Sequence, residues 1–301
     1  MNILVTGTAG LIGTALTSFL TQNQHRVIRL VRKTQLSPGE IGWDPYAQTL
    51  DIEALEGLDA VVHLAGENIA DGRWTAVKKL RIRESRIQGT RFLAQSLARL
   101  FDPPKVLVSV SAIGFYGDRG EELLDEESDP GKGFLADVCR EWEAATAPAV
   151  MRGIRVVHPR LGVVLSTAGG SLARMLPAFR LGVGGRIGSG QQYMSWITIE
   201  DLVGILDYAI HNGSLHGPVN AVSPNPVTNL DFSLMLGRVL SKPSFLALPA
   251  FAARIAFGEM ADALLLASVR VLPTRLKESG YKFQFPETED ALRHTLNAPA
   301  P

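Results

Sequence analysis

Short apolar runs alternate along this chain with longer stretches in which apolar residues return at helical spacing. NILVT (2–6) leads into a helical pattern that reaches Leu20. RVIRLV (26–31), DAVVHLA (59–65), KVLVSVS (105–111), IRVVHPRLGVVL (154–165) and GPVNAVS (217–223) follow. Between the third and fourth of these, residues 75–100 carry Val77, Leu80, Ile87, Phe92, Leu93 and Leu97 at a loose helical period, with Lys and Arg elsewhere. Strands without a polar side, alternating with helices, predict a doubly wound parallel α/β sheet covered on both faces.

The texture changes after about residue 166. RLGVGGRIGSGQQYMSWI holds five glycines in the nine residues 182–190, and prolines punctuate 218–249. The pattern predicts a larger domain over 1–165, to which 195–222 returns. A smaller lobe is expected over 166–194 and 223–301. No internal repeat or low-complexity run is present.

The first apolar run breaks into Thr6-Gly7-Thr8-Ala9-Gly10-Leu11-Ile12-Gly13. In a doubly wound fold, the first strand ends in a tight turn that aims the next helix N-terminus at a phosphate. Glycines are needed there for positive φ, for close approach to a pyrophosphate, and for packing helix on strand. The spacing is G-x-x-G-x-x-G, and three glycines alone could be a turn; following a strand and opening a helix, they predict a Rossmann-type dinucleotide site. The second strand bears on which dinucleotide. An NAD site usually places Asp or Glu about 20 residues on, but this strand ends Leu30-Val31-Arg32-Lys33, with no acid before Glu40. Arg32 could pair with a 2′-phosphate, favouring NADP(H) over NAD(H). The plainer alternative makes Arg32 and Lys33 solvated charges after a strand.

Composition narrows the partners. Thirty basic side chains balance thirty acidic ones, so no global field recruits nucleic acid or an anionic membrane. The single cysteine, Cys139, excludes an internal disulfide, and the start carries no signal-peptide pattern, so a cytoplasmic address is expected. The apolar stretch 246–272 is interrupted by Arg254, Glu259 and Asp262, which suits packed helices better than a membrane span. The six histidines form no HxxxH or HExxH pattern, and no zinc, GxSxG or Walker motif is present, so no metal site is expected.

Taken together, these residues resemble the extended branch of the short-chain dehydrogenase/reductase superfamily. TGTAGLIG matches its TGxxGxxG turn, and DAVVHLAGENI (59–69) is similar to the strand beneath the adenosine. More narrowly, the chain resembles an epimerase-like, NAD(P)-dependent epimerase/dehydratase-like family with a C-terminal segment of unassigned role. LAGENIADGRW (64–74), SAIGFYGDRGE (111–121), FLADVCREWEAA (134–145), PRLGVVL (159–165) and GSGQQYMSWITIEDL (188–202) carry that likeness. The resemblance implies that Gly7, Gly10, Leu11, Ile12 and Gly13 line the pyrophosphate and Arg32 the adenosine phosphate. Leu64, Ala65, Gly66 and Glu67 would line the ribose, and Pro159–Val164 the nicotinamide. It also implies pairing of two copies through the helices at 75–100 and 134–150.

The superfamily's YxxxK pair is missing. No tyrosine is followed by lysine four residues on, and the matching positions hold Phe134 and Val138. Neither can transfer a proton. The usual Ser/Thr position, four before the Tyr of a YG pair, is Ala112, with Ser111 one step earlier. Ser111 and Tyr116 are therefore the candidate catalytic residues, although Tyr116 could serve packing alone. Glu67 could act as a base or cap a loop. The glycine stretch 182–190 is either a hairpin or a mobile lip over a substrate, and its position before WITIEDL (196–202) favours the lip. Two functions stay open: an NADP-dependent oxidoreductase or epimerase on an unknown small molecule, or an NADPH-binding sensor that contacts a protein partner without turnover.

Overall fold

In the computed structural model, which describes residues 1–33 and 35–297, a nine-stranded sheet carries the fold. Its principal strands are β1 (Asn2–Thr6), β2 (Arg26–Val31), β3 (Glu40–Asp44), β4 (Ala60–His63), β5 (Val106–Ser109), β6 (Arg155–Leu161) and β7 (Gly217–Ala221). All run parallel, in the order β7-β6-β5-β4-β1-β2-β3. Thr49–Leu50 pairs antiparallel on the β3 edge, and Ser111–Ala112 pairs beside β6. The order reverses between β1 and β4, which makes the carboxyl ends of those strands the topological switch point, where open sheets hold ligands.

The two faces of the sheet feed two cores. Ile3 and Val5 of β1 pack with Leu16 and Leu20 of helix α1 (Leu11–Gln22), whereas Leu4 joins Leu93 and Leu97 of helix α2 (Ala76–Ala98). Val62, Val106 and Val108 fall in the first core, Val61 and Leu107 in the second. Side chains alternate across a strand, so a strand apolar on both sides is buried only when helices cover both faces. This is the doubly wound Rossmann-type sheet that the sequence predicts.

Two strands differ from the sequence expectation. β3 escapes the pattern because EIGWD is short, begins and ends on a charge, and is flanked by proline and glycine. It forms by pairing with β2 (Arg29 with Glu40, Val31 with Gly42), and only eight residues, 32–39, join the two. That is fewer than a parallel crossover usually needs, and it leaves no room for a helix. The apolar run 154–165 is two strands rather than one. At Gly162 a Cβ would stand 2.8 Å from both the Ser195 carbonyl oxygen and a Val222 methyl. The chain breaks there, and Val163–Leu165 leaves the sheet to pair with Trp196–Thr198.

Helices α3 (Phe134–Ala144) and α4 (Ala147–Met151) pack beside α2, α5 (Gly170–Arg180) packs on Val163–Leu165, and α6 (Ile199–His211) packs beside α1; α7 (Asn229–Val239) and α8 (Ala250–Phe257) follow in the chain. A third core gathers Leu165, Leu172, Leu176 and Phe179 with Trp196, Phe232 and Leu236. Helix α6 begins under Thr198, whose hydroxyl accepts the Asp201 N–H at 3.1 Å, an N-cap of the usual kind. Among the described residues, no helix is long and apolar enough to cross a membrane.

Candidate functional site

The turn between β1 and α1 is built around two tight contacts. Gly7 has φ +69°, and a Cβ there would lie 2.9 Å from the Leu64 carbonyl carbon and oxygen. A Cβ on Gly13 would fall 2.2 Å from the Gly7 oxygen, so only glycine lets the first turn of α1 sit against the strand end. Gly10 differs: the nearest atom to a Cβ there is the Gly7 oxygen at 3.4 Å. As the N-cap of α1 it supplies no side-chain cap, and the first turn carries no acid. The helix start therefore presents uncapped amides and the positive end of the helix dipole, a setting for an anion. Gly169 and Gly170, entering α5, approach the Leu11 side chain, so the chain leading into α5 rims this turn.

Behind the turn lies a buried polar chain. The Thr6 hydroxyl oxygen accepts the Leu64 and Ala65 N–H groups, each at 3.0 Å. With both lone pairs used, Thr6 must donate its own proton to His63 Nδ1, 2.8 Å away. The imidazole is then the Nε2–H tautomer, and Nε2 donates to the Thr90 hydroxyl at 3.0 Å, which also accepts the Trp142 indole N–H at 2.9 Å. His63 is fully buried, and burial lowers its pKa from 6.5 to about 4. A neutral imidazole thus ties β1, β4, α2 and α3 together under the segment 64–65.

The next residues are held by α2. The Glu67 N–H donates to the Ser85 hydroxyl at 3.0 Å, and the Arg86 guanidinium donates to the Glu67 carbonyl at 3.0 Å. Lys78 Nζ pairs with Glu67 Oε1 at 2.7 Å. One Glu67 carboxylate oxygen is thus held against Lys78 at the head of α2, as a loop tether. Arg86 also closes on Gly66, where a Cβ would lie 3.3 Å from the guanidinium carbon.

At the end of β2, Lys33 and Arg29 both lean on Glu40 of β3, at 2.6 and 3.6 Å. Arg32 is exposed and has no ion pair or hydrogen bond among the described residues. It lines a groove of about 1000 Å³ with Trp43, Asp44, Tyr46 and Leu50. Sequence reasoning missed β3, and with it the aromatic wall that faces Arg32.

The candidate catalytic residues lie deeper. Tyr116 is fully buried; its hydroxyl donates to Asn220 Oδ1 at 2.7 Å and accepts from Arg160 at 2.9 Å. Arg160 in turn grips both Glu143 oxygens at 2.9 Å and lies over the Phe115 ring. Burial, only partly opposed by Arg160, pushes Tyr116 up to about 12. This geometry gives Tyr116 no exposed surface from which to protonate a substrate; its evident task is to fasten β6 to β7. The Ser111 hydroxyl is buried without a nitrogen or oxygen partner and meets the Cys139 thiol of α3. Burial first, then Glu143, pushes that thiol up to about 11, so at neutral pH it is protonated. Phe134 packs edge-on against Trp74 at 5.4 Å, with Lys79 Nζ 4.7 Å from its ring centre, and Val138 is buried. Neither Phe134 nor Val138 presents a group that could transfer a proton.

The glycine stretch 182–190 is fastened rather than free. A Cβ on Gly185 would overlap the Leu246 carbonyl oxygen, Gly188 N–H donates to the Leu248 oxygen, and Leu248 N–H to the Arg186 oxygen, both at 2.9 Å. The Gln192 amide donates to the Ile187 and Leu265 carbonyls. The expected mobile lip is a seam that joins this stretch to residues 246–248 and 265, because its glycines admit backbone where side chains would collide.

Comparison with known proteins agrees in extent with this architecture. The family described as "NAD dependent epimerase/dehydratase family" matches residues 3–221, and a "Domain of unknown function (DUF1731)" matches residues 248–295. The chain is 44% identical over 297 residues to Epimerase family protein Mb2239 of Mycobacterium bovis, covering 99% of this chain and 98% of that one. The crystal structure of human epimerase family protein SDR39U1 (isoform2) with NADPH is similar at a TM-score of 0.89 and 36% identity, covering 99% of each chain. The nucleoside-diphosphate sugar epimerase from Corynebacterium glutamicum is similar at a TM-score of 0.80 and 41% identity, covering 98% of this chain and 58% of that chain.

Proposed function

The chain belongs to the NAD dependent epimerase/dehydratase family, and on that premise we propose that it binds NADP(H) at the carboxyl ends of β1, β2 and β4. Gly7, Gly10, Leu11, Ile12 and Gly13 hold the pyrophosphate through backbone amides, Arg32 pairs with the 2′-phosphate, and Leu64, Ala65, Gly66 and Glu67 follow the ribose. The observation that carries this reading is the uncapped, acid-free start of α1 at the switch point. The unpaired guanidinium of Arg32 selects the phosphorylated dinucleotide, and the human relative crystallised with NADPH points the same way.

The bound dinucleotide supplies a hydride donor or acceptor, and the reaction is of the oxidoreductase or epimerase type on a small molecule. Phe134 and Val138 exclude the usual Tyr/Lys proton route. Ser111, just beyond the end of β5, is buried like Tyr116, but its hydroxyl meets no nitrogen or oxygen, so of the two candidates it is the one whose hydrogen-bonding capacity is not already spent on the fold. The same apolar contact at Phe134 and Trp74 favours the second reading, a sensor that binds NADPH without turnover. The protein works in the cytoplasm, and the helices at 75–100 and 134–150 are its surface for pairing with a second copy.

Titration with NADPH and NADH, followed by nicotinamide fluorescence, tests the cofactor assignment. NADPH should bind more tightly than NADH, and Arg32→Asp should weaken NADPH binding about 10- to 100-fold, the worth of a charge-assisted contact, while sparing NADH. Equal affinity for both nucleotides, or indifference to the substitution, would refute the role of Arg32. Bound NADPH that is oxidised by a carbonyl panel supports the enzyme; tight binding without oxidation supports the sensor.

A further inference from the structure

At the amino end of the strands, opposite the nucleotide cleft, His25 leads into β2 and Asp207 and His211 close α6. No sequence spacing links His25 to the others, yet the fold brings one ligand atom of each within 4.8 Å of the rest. We propose that His25, Asp207 and His211 bind a divalent transition-metal cation, zinc in the first instance, remote from the nucleotide cleft.

Three observations support this site. Asp207 and His211 are four residues apart on one helix, which places both side chains on one face. The His211 Nδ1 lies 2.9 Å from the Asp207 carbonyl oxygen; donation there fixes Nδ1–H and leaves Nε2 as the ring nitrogen with a free lone pair. The Asp207 Oδ1 is buried without a hydrogen-bond partner, an orphan acceptor that a cation would satisfy. Its neighbour His211 Nδ1 stands 3.5 Å away.

The surroundings permit a cation. Arg155 lies at this helix end, but its guanidinium is spent on the Ala209, Ile210 and Leu215 carbonyls. The contact of His25 Nδ1 with the Met1 nitrogen is 3.5 Å and exposed, too long to hold the ring. Bonds of about 2.0–2.2 Å put tetrahedral zinc ligands roughly 3.3 Å apart, so side-chain rotations of about 1.5 Å close the set. Two imidazoles and one carboxylate suit zinc, with a fourth position left to water. The cation would join the end of α6 to the start of β2, elements distant in sequence.

The test uses the full chain after dialysis against EDTA. Zinc sulfate, titrated in competition with a chromophoric chelator, should load one ion per chain and raise Tm. His25→Ala, His211→Ala and Asp207→Asn should each weaken binding at least about tenfold, whereas His294→Ala should not. Tm in EDTA shows that the variants fold, and cobalt(II) should give d–d bands that vanish in His211→Ala. Absence of a bound equivalent, or zinc affinity that survives the His25 or His211 substitution, overturns the site.

Discussion

Acid should destabilise this protein through buried imidazoles, His63 above all. His63 is held neutral: Thr6 donates to its Nδ1, and its Nε2–H is given to Thr90. Protonation would place a second proton between Nδ1 and an oxygen whose lone pairs already serve Leu64 and Ala65. The folded pKa therefore lies below the unfolded value, at about 4 against 6.5. Below pH 6.5 the unfolded chain binds a proton that the folded chain refuses, so this contribution is complete above 6.5 and is lost as pH falls toward 4. At about 1.4 kcal/mol per pH unit, the loss comes to about 3 kcal/mol, a large share of the stability of an ordinary domain. Urea unfolding of wild type and His63→Gln, at intervals from pH 7.5 to pH 4, isolates it. Glutamine preserves an acceptor and a donor without titrating, and the other titrating groups, His158 included, cancel in the difference. The stability gap between the two proteins should shrink by about 3 kcal/mol across that range. A gap that stays constant with pH would show that His63 titrates normally, and the lone-pair accounting at Thr6 would be wrong.

Two further substitutions separate binding from stability. Gly13→Ala forces a Cβ into the Gly7 oxygen and should cost about 1–3 kcal/mol in urea unfolding, with NADPH affinity falling alongside because the turn must open; unchanged affinity would detach the turn from the nucleotide. Tyr116→Phe leaves Asn220 and Arg160 short of a buried partner and should lower stability by about 1–3 kcal/mol. Nucleotide affinity should stay at the wild-type value in this variant, and a loss of NADPH binding with stability intact would return Tyr116 to the site.

The local pattern was enough for the frame. Unbroken apolar strands such as Ile3-Leu4-Val5 demand cover on both faces, and the need for glycine at 7 and 13 can be read without coordinates, because positive φ at Gly7 and the contact of Gly13 with the Gly7 oxygen arise within one turn of chain. The positions that the family resemblance aligns with a Tyr/Lys pair were legible as Phe134 and Val138, neither of which can transfer a proton. Where strand identity depends on a partner, the sequence was silent. Glu40–Asp44 becomes a strand by pairing with β2, and the run 154–165 splits because Ser195 and Val222 crowd Gly162. The seam at 182–190 depends on carbonyls about 60 residues away. Tertiary structure also decided what the polar residues do. It took Tyr116 into the core, spent Glu67 on Lys78, left Arg32 unpaired, and brought His25 to Asp207 and His211. Periodicity reports which way a side chain faces. Which atom it meets is set by the crossing of elements distant in sequence, and hydrogen bonds and pKa shifts depend on that meeting at ångström range.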